Sequence, residues 1–173
     1  NISGVNQSQA GNPGEKLGSF FSSRGKLGNI KKNNRFGIYG QLSSLPKNPY
    51  FKQPIPVASP SEIEKDSASL YTVIDGEKIE KFKVKIEEVK HQYRPRQKGL
   101  IVKITDKELL RKTGGIIQGM SGSPIVQDNK LVGVVTHVFV NDATRGFGVL
   151  AQWMIMKSGL LETQKKHTRE LVS

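Results

Sequence analysis

From Lys81 to Ile86 the chain reads Lys-Phe-Lys-Val-Lys-Ile, a strict alternation of charge and hydrocarbon. A period of two belongs to a β-strand, whose successive side chains leave opposite faces. One face of this strand must be covered, and the other must meet water. Asp75-Gly76 precedes it, and Leu70 to Ile74 precedes that. An Asp-Gly pair suits the tight turn of a hairpin, so 70–74 and 78–89 are read as paired strands. Further strands are expected at Phe36–Leu42, Gly99–Ile104 and Gly146–Val149. A second hairpin joins Pro124–Gln127 to Lys130–Val140 through Asp128-Asn129. Residues 43–66 carry Pro46, Pro49, Pro54, Pro56 and Pro60, which makes them a loop with at most one strand, around Ile55 to Ala58. Thr105-Asp106-Lys107-Glu108 resembles a capping box that opens a short helix through about Lys112. Residues 1–35, rich in Gly, Asn, Ser and Lys, read as a linker and loose turns. The expected fold class is mainly β.

Length and composition narrow the function. A chain of 173 residues has room for one core and little more. Its apolar share of 35% is low, which suggests loosely packed stretches near both ends. No apolar run has the length that a bilayer-crossing helix needs, and no signal-peptide pattern is present. Zero cysteines exclude disulfides and thiolate metal sites. His91, His137 and His167 lack metal-binding spacing and partner carboxylates, so neither a metal nor a cofactor is expected. The net charge of +12 favours anionic partners, such as headgroups, cell-wall polymers or acidic peptides. The basic residues are scattered and lack interleaved aromatics, which argues against nucleic acid.

The chemistry points to Gly119-Met120-Ser121-Gly122-Ser123-Pro124. A serine that attacks a carbonyl needs an exposed hydroxyl and two N–H groups aimed at the developing oxyanion. A glycine two residues before Ser121 lets the chain turn so that the Gly119 and Ser121 N–H groups face one point. Gly122 leaves room for substrate, and Pro124 ends the turn and starts a strand. A Gly/Ser-rich turn without chemistry is the alternative.

The order of elements after Ser121 resembles the C-terminal barrel of a trypsin-like protease. A hairpin follows the nucleophile, then a Gly-rich strand, Gly146-Phe147-Gly148-Val149, then a C-terminal helix from Trp153. GNPGEKL (11–17), FGIYG (36–40), LIVKITD (100–106), TGGIIQGMSGSPIVQ (113–127) and VGVVTHVFVNDAT (132–144), with the Gly146–Met154 stretch, resemble the SpoIVB peptidase family of endospore-forming bacteria. The resemblance covers nearly the whole chain. It implies a serine endopeptidase with a trypsin-like C-terminal β-barrel, an incomplete N-terminal barrel, a short internal helix and a C-terminal helix. It also implies secretion across the forespore membrane and signalling to a membrane protease complex. The substrates it implies are a regulator in that complex and the enzyme's own chain.

Within that resemblance, Ser121 is the nucleophile, and Thr136 sits where such enzymes place a Ser or Thr beside the triad. Asp106 is the family's other candidate for a third member. Against it stands a capping role at a helix start, which needs no catalysis. His137, next to Thr136 on a strand, is expected to point to the opposite face. Met120 replaces the aspartate with which digestive enzymes of this type bind a new amino terminus. Substrate-pocket strands are expected near Val138–Asn141 and Arg145–Gly148.

The family carries its catalytic histidine upstream of the segment resembling GNPGEKL, and nothing before Gly11 is a histidine. The expectation is therefore a C-terminal fragment that lacks that base, together with the family's PDZ domain and anchor, and is inefficient by itself. The expected organisation is 1–35 as linker and barrel remnant, 36–157 as peptidase barrel and 158–173 as a basic tail. Loss of a first barrel would expose strand edges, so a homodimer with an exchanged amino-terminal segment is expected. Two other readings remain: a non-catalytic peptide-binding module, and a domain that binds anionic surfaces.

Overall fold

The computed structural model describes residues 1–19 and 27–159. The basic tail beyond Gly159, including His167, lies outside them. The centre of the molecule is a closed antiparallel barrel. Its strands are β5 (Ser67–Val73), β6 (Ile79–Val89), β7 (Leu100–Ile104), β8 (Pro124–Gln127), β9 (Lys130–Val138) and β10 (Arg145–Leu150). Around the barrel the order is β10-β7-β6-β5-β8-β9, and β9 pairs with β10 to close it. The alternation in β6 does what its period requires. Phe82, Val84 and Ile86 are buried, and Lys81, Lys83 and Lys85 are exposed. Leu70, Leu100, Val102, Ile104, Ile125, Val132 and Val149 complete the interior. Asp128 and Asn129 both take positive φ, 47° and 58°, as a two-residue hairpin turn between twisted strands needs.

Among the described residues two α-helices flank the barrel. Helix α1 (Lys107–Thr113) starts one residue later than the capping-box reading places it. Asp106, not Thr105, is its N-cap. Helix α2 (Ala151–Ser158) buries Ala151 and Trp153 and begins before Trp153. No helix among the described residues is long and apolar enough to cross a membrane.

The amino-terminal region departs most from expectation. Where a linker and loose turns are expected, β1 (Ile2–Asn6) and β2 (Glu15–Gly18) form a hairpin, and β3 (Gly28–Asn34) pairs with β4 (Gly37–Leu42), the strand expected at Phe36–Leu42. Among the described residues neither hairpin closes into a first barrel. The first hairpin is tied to the main barrel at both ends. Ile2 and Gly76 exchange backbone hydrogen bonds of 2.8 and 2.9 Å. The Ser8 hydroxyl is buried between the Gly14 N–H and the Ile116 carbonyl, at 2.8 and 3.0 Å. Gly14 packs so tightly that a Cβ there would sit 2.1 Å from the Asn6 carbonyl oxygen. The strand expected around Ile55–Ala58 is reduced to one bridge, Val57 to Leu131, followed by a 3-10 turn at Pro60–Glu62.

Candidate active site

Ser121 lies on the connection from α1 into β8, and its side chain is exposed. Its hydroxyl donates to the Thr136 carbonyl on β9 at 2.9 Å. The turn before it is closed by the Met120 N–H, which donates to the Ile117 carbonyl at 3.1 Å. Gly119 is the third residue of that turn, with φ 90°, the backbone that a type II turn demands there. After the serine, Gly122 N–H donates to Val135 O at 2.8 Å and Val135 N–H to Ser123 O at 3.0 Å. The Ser121 segment is thus stitched to β9 on one side.

On the other side β2 holds it. Gln118 N–H donates to Gly14 O at 2.7 Å, and Lys16 N–H donates to Gln118 O at 2.9 Å. Both backbone groups of the residue before Gly119 are therefore occupied by the GNPGEKL segment. The Gly119 and Ser121 N–H groups, by contrast, donate to no acceptor among the described residues. An oxyanion site needs two unpaired donors of this kind aimed at one point beside the serine. Met120 between them is fully buried in the core.

A cavity of about 420 Å³ opens beside Ser121. Its wall includes Lys16 from β2, Tyr71 and Thr72 from β5, and Asn48 and Phe51 from the proline-rich loop. That loop is anchored by stacking. Tyr50 and Phe51 each meet the Tyr71 ring edge-on, with centroids 5.0 Å apart. The Asn48 side chain caps their backbone N–H groups at 2.9 and 3.1 Å.

Residues 1–155 match the SpoIVB peptidase S55 family. The chain belongs to this family. Two solved structures of the Rv3671c protease from M. tuberculosis are also similar. The active form is 20% identical with a TM-score of 0.41, over 62% of this chain and 48% of that one. An inactive mutant form is 14% identical with a TM-score of 0.48, over 76% of this chain and 64% of that one. This chain thus spans less than two thirds of either protease. No curated relative matches it.

The barrel puts Ser121 and Thr136 side by side, but Thr136 meets the serine through its backbone. Its own hydroxyl donates to Phe147 O on β10 at 3.1 Å. The β9–β10 register explains this. Val135 pairs with Gly148 and His137 with Phe147, so Thr136 is an extra residue in a bulge. His137 is exposed, and His91 lines a separate basic groove. Among the described residues no imidazole lines the Ser121 cavity.

Asp106 stands apart from the site and caps α1. Its carboxylate accepts from Lys83 N–H at 3.1 Å, from Glu108 N–H at 3.0 Å and from Leu109 N–H at 3.1 Å. Burial pushes its pKa up, but these N–H groups, with Lys83 and Leu109 ahead of Glu108, pull it below the ordinary aspartate value. It does not line the Ser121 cavity. The sequence reading missed Lys16, Thr72, Tyr71 and Phe51. Lys16 lies inside the GNPGEKL motif, between Glu15 and Leu17, and no local signal ties it to Gln118.

Proposed function

We propose that this domain is the nucleophile-bearing half of a serine endopeptidase. Ser121 Oγ attacks the scissile carbonyl carbon, and the carbonyl oxygen gains charge between the Gly119 and Ser121 N–H groups. The C–N bond then breaks, and the serine's proton leaves with the amine by way of a general base. Water hydrolyses the remaining ester. The observation that carries the reading is the exposed Ser121 hydroxyl flanked by two N–H donors that serve no other group. The base is proposed to be the family's histidine, supplied by polypeptide joined upstream of Gly11, because an unassisted serine hydroxyl is a weak nucleophile.

The proposal extends to targets and place. The substrates are peptides, including this enzyme's own chain and a regulator in a membrane protease complex, met in the space between forespore and mother cell. A homodimer joined through the β3–β4 hairpin, where Ile30, Ile38 and Leu42 are exposed, completes it and is read by light scattering. A fluorophosphonate probe tests the chemistry. With the histidine-bearing segment joined, the adduct is expected on Ser121 and not on Ser123. Labelling of another residue, or none, overturns the assignment.

One observation favours a second reading, an anionic surface as partner. Arg35, Lys90, Arg94, Arg96 and Lys98 gather with His91 around one groove, and Tyr93 beside them is 98% exposed. On this reading the protein binds vesicles that contain phosphatidylserine at low salt and releases them as salt rises past the Debye screening range. Arg94→Glu with Arg96→Glu is expected to weaken that binding more than tenfold. Equal binding to neutral vesicles rejects it.

A further inference from the structure

Lys16 is the one cation that the fold places in the wall of the Ser121 cavity, among the described residues. Its aliphatic stem lies along the oxyanion turn. A Cβ at Gly119 would meet the Lys16 Cβ, Cγ and Cδ atoms at 3.1–3.2 Å. Its Nζ donates to Thr72 Oγ1 at 2.8 Å. That oxygen also accepts from the buried Ser123 hydroxyl at 2.9 Å, so both of its acceptor positions are taken by donors. The partner is neutral, and no carboxylate among the described residues forms an ion pair with Lys16. Burial lowers its pKa from 10.5 to about 8, so the ammonium is the main form at neutral pH. An ammonium has three donors, and here one is used.

A half-buried, uncompensated cation is costly to keep in a fold. Some partly buried cations elsewhere do have a carboxylate partner, as Lys112 has in Glu108 at 2.9 Å. Arg145 likewise meets Glu87 at 2.8 Å and Asp142 at 3.5 Å. A group left unpaired inside a cavity shared with a nucleophile is arranged for a partner that arrives with the substrate. We propose that Lys16 is a specificity residue that binds a carboxylate of the peptide substrate, an Asp or Glu side chain within a few residues of the scissile bond. The inference rests on the peptidase reading for the meaning of the cavity. The positive field of the whole chain draws acidic peptides in the same direction.

The test uses equilibrium binding, so it needs no turnover. Fluorescein-labelled decapeptides in matched pairs carry Glu or Gln at one position, walked along the whole peptide. At one position the Glu peptide is expected to bind the full chain about tenfold tighter than its Gln partner, as a charge-assisted hydrogen bond gives. Lys16→Met keeps the stem on Gly119 and is expected to erase the difference. Lys16→Glu is expected to reverse it in favour of a Lys peptide. The melting temperature of Lys16→Met is expected to equal or exceed that of the parent, because the buried charge is gone. Equal binding of Glu and Gln peptides at every position overturns the inference, as does a Lys16→Met protein that melts several degrees lower with its discrimination intact. If Glu and Gln peptides bind alike while Ser121 labels and cuts, the carboxylate site fails and the peptidase reading stands. If they differ while Ser121 never labels, the reverse holds.

Discussion

Ser121→Ala is expected to reduce kcat/KM for peptide cleavage by about 10⁴-fold or more, measured with the histidine-bearing segment joined. The size follows from the role. A covalent nucleophile has no substitute, and what remains after its removal is substrate binding and oxyanion stabilisation alone. The structure makes the result easy to interpret. Ser121 is exposed, and its one hydrogen bond runs to the Thr136 carbonyl, so its loss costs about 1 kcal/mol and leaves the barrel folded. Ser123→Ala is the informative companion. Ser123 is buried, and its hydroxyl donates to Thr72 beside the cavity. Its loss is expected to cost about tenfold at most, the scale of one neutral hydrogen bond. If Ser123→Ala is the variant that abolishes cutting, the nucleophile has been assigned two residues too early.

The contrast between these serines also marks what could be read in the sequence. The barrel was legible because its strands carry local signals: alternation at Phe82, Val84 and Ile86, Asp-Gly and Asp-Asn turns, and glycines before β8. The turn at Ser121 was legible because its glycines, Gly119 and Gly122, lie beside it in the chain. Lys16 was not legible as part of the site. It reaches the site through pairing of β2 with Gln118, more than 100 residues away in sequence, and nothing local announces such a pairing. The prolines of 43–66 predict an irregular loop, but its aromatics Tyr50 and Phe51 seat on Tyr71 by tertiary packing that prolines do not encode. Thr136 is the subtler case. Strict alternation places it and His137 on opposite faces, but a bulge at Thr136 breaks the period. The hydroxyl bonds β10, and the carbonyl faces the serine instead. Asp106 shows how one position serves two readings: the same aspartate that a triad would use caps α1 through the Glu108 and Leu109 N–H groups and accepts a third from Lys83 on β6.

Gly119→Ala is expected to lower kcat by about 10²–10³-fold with a much smaller change in KM, the signature of a lost oxyanion donor. Two features force it. Gly119 holds φ at 90°, where an L-residue is strained by about 1–3 kcal/mol. Its new methyl would also press on the Lys16 stem at 3.1–3.2 Å. The strain has a cheap relief. Flipping the Gln118–Gly119 peptide converts the type II turn to type I and returns φ at that position to about −90°. The same flip turns the Gly119 N–H away from the oxyanion position. It also turns away the Gln118 carbonyl, which accepts from Lys16 N–H at 2.9 Å. In the parent chain that bond fixes the Gln118–Gly119 peptide, so the β2 backbone is expected to support the oxyanion position while the Lys16 side chain faces the substrate cavity. The consequence is measurable. Gly119→Ala should keep its affinity for a peptide substrate and lose its affinity for a boronic or aldehyde inhibitor, whose bound oxygen occupies the anion position. A variant that binds such inhibitors as tightly as the parent would remove Gly119 from the oxyanion site.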